Sequence, residues 1–366
     1  MNGSWIRRIW CRRDPLSWLL WVLLLPFELF YSMAVRLMDF LYFSGWIRKQ
    51  SLPRPVISVG NLTVGGTGKT PTTLWLAGEL SRLGYRVGIL SRGYKRRGKG
   101  IRILGLTQAV SPGEKEDSGD AGDEPVMMAK IYGRTVGVGR DRCEVGKRLL
   151  LDTNIDVFIL DDGFQHRLLR RDVDLLLLGT DWDGWLIPAG PFREPRNALR
   201  RANLYLITGA GEQWKSFLRY YPEEKLFFGN LTAKGLFTFE DKQWKEHPLG
   251  LLDRRKIVAV SAISSSESFY RMIHDWEGDI VQTLEFPDHH NYSTRDWQRI
   301  NRAARHAELI VTTEKDILKL VRFPFPREKL FALRVEMVVQ RGSSLIEAVE
   351  EVVKARRSEL VKLQES

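Results

Sequence analysis

Apolar positions along this chain fall into distinct regimes. Between Ile6 and Trp46 they crowd together as Trp, Leu and Phe, behind a basic start of Arg7, Arg8, Arg12 and Arg13. Beyond Pro53 and Pro55 short apolar runs alternate with amphipathic stretches. "VISVG", "YRVGILSRG", "RTVGVG", "IDVFILDDGFQH" and "DVDLLLLG" read as buried strands. "TPTTLWLAGELSRLG", "EPVMMAKIYG" and "RDRCEVGKRLLLDTN" read as the helices between them. Continuous apolar runs interleaved with helices predict a parallel sheet covered on both faces. From Lys225, "KLFFGNLTAKGLFTFEDKQW" alternates aromatic and β-branched residues around Lys234-Gly235, which predicts a β-hairpin. Strand and helix patterns then resume through "ELIVTTEKD", and "SLIEAVEEVVKARRSELVKLQ" predicts a closing amphipathic helix.

The fold class expected is α/β. The predicted segments are an N-terminal membrane-associated helical segment (1–50), a parallel-sheet domain of P-loop NTPase type (51–222) and a β-hairpin linker (223–248). A second, smaller α/β domain (249–340) and a C-terminal helix (341–366) complete the chain. Ligands of parallel sheets collect at the carboxyl ends of the strands. The glycine-rich turn after "VISVG", the pair Asp161-Asp162 and the loop holding Arg92 all follow strands, so they are expected at one sheet edge.

The N-terminal uncharged run, Pro15 to Phe27, is shorter than the ~20 residues that cross a bilayer. Glu28, Arg36 and Asp39 interrupt the apolar stretch beyond Phe27. A helix lying in the membrane interface accounts for the tryptophans and arginines together. A spanning helix would have to tolerate Glu28, and a core helix would leave the arginines unexplained. The basic flank favours the cytoplasmic face. The formal net charge of +11 fits an anionic partner, such as a membrane surface or a phosphorylated substrate. Aromatic/basic recognition motifs for nucleic acid are absent, so no nucleic-acid partner is expected. Two cysteines, Cys11 and Cys143, suit a reducing compartment and no thiolate metal site.

"VISVGNLTVGGTGKTP" carries the main chemistry. A glycine-rich turn between strand and helix aims backbone N–H groups at one point, and the helix N-terminus adds positive charge. Thr63, Val64, Gly65, Gly66, Thr67, Gly68, Lys69 and Thr70 form the candidate nucleotide loop. Lys69 would reach the β- and γ-phosphates of ATP, and the Thr70 hydroxyl would bind Mg²⁺. The generic pattern has a glycine where Thr63 stands. A strand ending in Asp161-Asp162 is the arrangement that places a carboxylate near such a metal.

Three further groups are candidates. Asp123 and Glu124 in "GDEP" lie in an acidic stretch read as a loop. Asp288, His289 and His290 follow a predicted strand; a single His joined to a carboxylate would make an acid/base dyad. Arg193 and Glu194 sit between prolines in "IPAGPFREP". A guanine-reading N/T-K-x-D motif, which a GTPase would need, is not supplied by "TTEKDILKL", where Asp316 follows Lys315 directly.

In this order, "VGNLTVGGTGKTP", "SRGYKRRG", "GDEP", "LDDGFQHRLLRRDVDLLLL", "PAGPFREP", "FPDHHNY" and "TTEKDILKL" closely resemble tetraacyldisaccharide 4'-kinase, the lipid A 4'-kinase of Gram-negative bacteria. The resemblance runs from the N-terminal segment to at least Leu320. It implies transfer of the ATP γ-phosphoryl group to the 4'-hydroxyl of an acylated disaccharide 1-phosphate, giving lipid IVA at the cytoplasmic face of the bacterial inner membrane. The implied base is Asp123, assisted by His289, with Lys69 on the phosphates. Thr70, Glu124 and one of Asp161 or Asp162, with Asp162 preferred, would hold Mg²⁺. Gln165, His166, Arg193 and Glu194 would line the acceptor side or orient the phosphates. The family's own loop carries a non-glycine residue at the place of Thr63. Near Lys95 the resemblance leads to the expectation of a glycine, which this chain lacks.

Overall fold

The computed structural model describes residues 3–105, 119–209, 211–240, 243–263, 266–326 and 328–365. Most of the expected acidic loop, up to residue 118, lies outside the described residues. In chain order the helices are α1 (Gly3–Trp10), α2 (Pro15–Phe43), α3 (Lys69–Arg82), α4 (Asp123–Lys130) and α5 (Arg142–Asp152). Then come α6 (Trp214–Leu218), α7 (Glu267–His274), α8 (Thr294–Ala303), α9 (Glu314–Leu320) and α10 (Gly342–Glu365). The strands are β1 (Val56–Asn61), β2 (Val87–Ser91), β3 (Arg102–Leu104), β4 (Thr135–Val138), β5 (Val157–Asp161), β6 (Val173–Leu178) and β7 (Leu204–Thr208). They continue with β8 (Leu226–Glu240), β9 (Gln243–His247), β10 (Lys256–Ser261), β11 (Asp279–Glu285), β12 (Leu309–Thr313) and β13 (Leu330–Gln340).

The chain divides into two compact units. The larger comprises Asn2–Arg92, Gly137–Asn230 and Met337–Ser366, and the smaller comprises Gly93–Val136 and Leu231–Glu336. Neither is continuous in sequence, whereas hydropathy alone suggested contiguous segments. The reason is that single strands serve both: β4, β8 and β13 each contain a point where the chain passes from one unit to the other. The expected hairpin also differs in detail. Lys234-Gly235 lies inside β8, which pairs antiparallel with β9 from Leu236↔His247 to Glu240↔Gln243. Residues 241–242, between the two strands, lie outside the described residues.

In the larger unit the strands run in the order β8-β7-β6-β1-β5-β2. The pairs β6/β7, β1/β6, β1/β5 and β2/β5 are parallel. All residues of β1, β5 and β6 are buried, as sheets covered on both faces require. After β1 the chain builds β2 and β5 on one side, then β6, β7 and β8 on the other. β1 is thus the switch point, where the crevice at the strand ends is open to a ligand. A core of Leu62, Phe164, Leu176, Phe192, Tyr205 and Trp214 fills the space below the β1 and β5 loops.

The N-terminus forms two helices rather than one. Asp14 ends the first break by accepting from the Ser17 amide at 2.9 Å, and Pro15 opens α2. At 1.5 Å per residue α2 is about 43 Å long, more than the hydrocarbon thickness of a bilayer. One face is fixed to the unit: Trp21 donates to the Ala189 carbonyl at 2.9 Å and Tyr31 to that of Arg193 at 2.8 Å. Leu16, Leu23, Phe27, Phe30 and Leu37 are exposed on the rest.

In the smaller unit β11, β10, β12 and β13 lie side by side with parallel pairing, and β8 with β9 continues the sheet. Apolar clusters cover both faces, one around Val258, Ile310 and Ile317, the other around Ile257, Phe269 and Phe331.

Candidate functional site

In the larger unit β1 delivers the chain through residues 62–68 into α3. Gly68 stands immediately before Lys69 with φ +84, a left-handed conformation that costs glycine nothing. No side chain caps this helix, so its first N–H groups stay open to an anion. Thr63 forms an isolated antiparallel bridge with Phe192. The Val64 amide donates to the Pro191 carbonyl and the Arg193 amide to that of Leu62, both at 2.7 Å. The φ of Thr63 is not positive, so this paired, strand-like backbone suits a β-branched residue and needs no glycine.

Lys69 Nζ lies 3.2 Å from Asn61 Oδ1 and 3.7 Å from Asp162 Oδ1. The amide nitrogen of Asn61 donates to Thr67 Oγ1 at 3.0 Å, so Asn61 ties the turn to its lysine. The Thr70 hydroxyl makes no hydrogen bond among the described residues.

The loop after β5 completes this cluster, at the same sheet edge as expected. Asp161 accepts from the Thr73 hydroxyl at 3.1 Å and is buried. Asp162, with φ +49, turns its carboxylate the other way, to Lys69 and to Arg193, whose Nη1 is 2.9 Å from both oxygens. Against the cost of burial, Lys69 and then Arg193 hold the Asp162 carboxyl below the usual carboxylate range. Gln165 donates to the Asn61 carbonyl at 2.9 Å and accepts from Arg193 at 3.3 Å.

His166 Nδ1 lies 3.4 Å from Arg142 Nη1, and its Nε2 is buried without a hydrogen-bond partner. Burial, then Arg142, lowers its pKa to about 4, which keeps the imidazole neutral. Glu194 parts company with Arg193. It is buried and paired with Arg201 at 2.7 Å and Arg167 at 3.2 Å. Both arginines also pair with Asp39 of α2. Its carboxylate therefore anchors α2, with Gln165 a further contact.

In the smaller unit Gly122 has φ +95, and a Cβ there would come within 3.2 Å of Gly93 Cα. That turn starts α4, so Asp123 and Glu124 are its first residues rather than members of a solvated loop. Asp123 Oδ2 lies 3.0 Å from His289 Nδ1 and 2.5 Å from Lys319 Nζ. Burial pushes the Asp123 carboxyl up, but His289 and Lys319 outweigh it and leave it below its ordinary range. His289 Nε2 lies 3.3 Å from Lys315 Nζ, which also holds Asp288 Oδ1 at 3.0 Å. A lysine ammonium only donates, so Nε2 accepts and Nδ1 carries the proton toward Asp123.

His290 serves packing. It stacks on Phe286 at 4.9 Å and meets Asp296 Oδ2 at 3.1 Å, within the capping box of α8. Glu124 makes no hydrogen bond or ion pair among the described residues. Lys95 takes φ +57, the conformation an expected glycine would take freely. Its Nζ is 3.3 Å from the Asp288 carbonyl, and the Tyr94 ring is 5.6 Å from that of His289.

Among the described residues no three His, Cys, Asp or Glu side chains cluster as a metal site. The oxygen donors on the larger unit, Thr70 and Asp162, still fit a hard cation that keeps water and phosphate oxygens as its other ligands. Sequence reasoning overlooked Asn61, Arg142, Lys315 and Lys319. The lysines stand one helical turn apart in α9, and Lys319 interrupts an apolar run of Ile317, Leu318 and Leu320. A charge inside such a run was the available signal.

The family model described as tetraacyldisaccharide-1-P 4'-kinase matches residues 20–354. A tetraacyldisaccharide 4'-kinase of Syntrophus aciditrophicus is 38% identical, over 93% of this chain and 94% of its own length. That of Aquifex aeolicus is 35% identical over 88% and 96%. The crystal structure of an "apo" form of LpxK from Aquifex aeolicus in complex with ATP superposes with a TM-score of 0.75 at 33% identity, covering 91% of this chain and 99% of that one. The chain belongs to the tetraacyldisaccharide-1-phosphate 4'-kinase family.

Proposed function

We propose roles in phosphoryl transfer for the residues of each cluster. The chain is an ATP-dependent tetraacyldisaccharide 4'-kinase of lipid A biosynthesis. It moves the γ-phosphoryl group to the 4'-hydroxyl of the disaccharide 1-phosphate and forms lipid IVA. The observation that carries the residue assignment is the Asp123 carboxylate held by His289 Nδ1 at 3.0 Å. A sugar hydroxyl is a weak nucleophile, and a positioned base is worth ~10²–10⁴-fold.

The turn from Thr63 to Thr70 grips the polyphosphate through its open N–H groups, and Lys69 and Arg193 neutralise the charge that spreads over the transferring group. Gln165 orients Arg193, and Asn61 aligns Lys69. His166, uncharged beside Arg142, offers a hydrogen bond without adding charge. Glu194 acts through α2 and touches no substrate. Mg²⁺ would be held by Thr70 and Asp162; when bound it would offset negative charge on phosphate oxygens. Asp161 holds Thr73 of α3 instead.

The exposed apolar side of α2 and the basic start of α1 suit a helix in or across the inner membrane at its cytoplasmic face. A membrane-held kinase meets an acylated acceptor without drawing it into water.

The test is direct. Purified protein in mixed micelles receives ATP, Mg²⁺ and tetraacyldisaccharide 1-phosphate, and product is read by mass spectrometry, with Lys69→Ala as control. A 4'-phosphorylated product from wild type alone is expected. Release of ADP without phosphorylated acceptor would overturn the acceptor assignment.

A further inference from the structure

We propose that Lys319 is a positioning residue for this reaction, fixing Asp123 so that Oδ1 is the oxygen that takes the acceptor's proton. The inference deepens the proposed function and rests on Asp123 acting as the base. Lys319 is 5% exposed, on α9 between buried Leu318 and Leu320. An ammonium in such surroundings survives only when paired. Its Nζ reaches two groups: Asp123 Oδ2 at 2.5 Å and the His290 carbonyl oxygen at 3.1 Å. One charge thus holds both the carboxylate and the loop that presents His289, whose backbone is left-handed at φ +63.

His289 Nδ1 donates to the same oxygen, Oδ2. Carboxylate torsions are broad and two-fold, so an unrestrained Asp could offer either oxygen. Two charge-assisted or oriented donors on Oδ2 remove that freedom. Oδ1 makes no hydrogen bond among the described residues. In the reaction the acceptor oxygen attacks the γ-phosphorus, and its proton passes to Asp123 Oδ1. The bond from the γ-phosphorus to the bridging oxygen breaks, and its electron pair leaves on ADP. Lys319 keeps its proton and touches none of the reacting atoms.

A buried ion pair that merely joins α9 to α4 would show itself as lost stability, with kcat of the folded enzyme unchanged. A positioning role predicts a different pattern, read in a double-mutant cycle. Lys319→Met should lower kcat by ~10–100-fold, the scale on which misplaced groups cost rate. KM for ATP should stay within about two-fold, because the P-loop is untouched. In the Asp123→Asn background the same substitution should change kcat by less than about two-fold. Should Lys319→Met fail to fold, Lys319→Arg keeps the charge, moves the donors and carries the same comparison. An unchanged kcat in a folded Lys319 variant, or equal losses in both backgrounds, overturns the proposal. An unchanged kcat for Asp123→Asn alone overturns the base assignment itself and is recognised without any change at Lys319.

Discussion

The phosphate cluster of the larger unit and the carboxylate cluster of the smaller one are built by opposite means. The first is mostly backbone: a glycine-capped helix start, a bridged Thr63 and a few charges at strand ends, with Asp162 partly open to solvent. The second is side chains packed out of water, where Asp123, His289 and Lys319 are each about nine-tenths buried or more. A gripping site can rely on a local motif, because N–H groups converge wherever the turn forms. A proton-accepting site needs its partners fixed in three dimensions. The two should therefore fail differently when altered.

The sharpest break is expected at Asp123. Asp123→Asn should lower kcat by ~10²–10⁴-fold while ATP affinity, measured by calorimetry, stays near wild type. A comparable loss of ATP binding would erase the distinction. Next in size is Lys69→Ala, for which kcat/KM should fall by ~10²–10³-fold and ATP binding should weaken with it. Retained affinity there would mean that Asn61 and Arg193 suffice on the phosphates.

Gly122→Ala probes how rigidly the carboxylate cluster is held. It forces a Cβ on a left-handed residue with Gly93 3.2 Å away, which should destabilise by ~1–3 kcal/mol. Thermal unfolding should show this, with kcat reduced more than KM for ATP. An unshifted Tm would show that the turn can relax.

The smallest effect is a pH dependence in the larger unit. The folded imidazole of His166 resists protonation down to about 4. The unfolded one takes a proton near ~6.5. The unfolded state therefore binds the extra proton first, and stability present above ~6.5 declines as pH falls toward about 4. His166→Gln should flatten this slope in urea titrations at the two ends of the window. An identical slope would place the acid sensitivity elsewhere.

Much of the larger unit was legible because its signals are local. Apolar runs became β1, β5 and β6, and the turn before Lys69 declared its chemistry by type and order. Thr63 was harder, since its reason is a bridge to Phe192, far along the chain. Asp123 and Glu124 looked like loop acids because nothing in an acidic stretch announces a helix start governed by Gly122. Arg193 and Glu194 looked like one unit, yet neighbours in an extended segment point apart, and they serve different partners.

The sequence by itself determined the alternation of strands and helices, the phosphate-gripping turn and the ordered motifs that mark the family. These depend on residue period and turn chemistry, which act over a few positions. Tertiary structure alone decided that Lys319 joins Asp123 and His289, that Asn61 meets Lys69, and that each compact unit draws on separated stretches of chain. Such choices depend on backbone dihedrals at single residues and on contacts between distant segments, and no local pattern carries them.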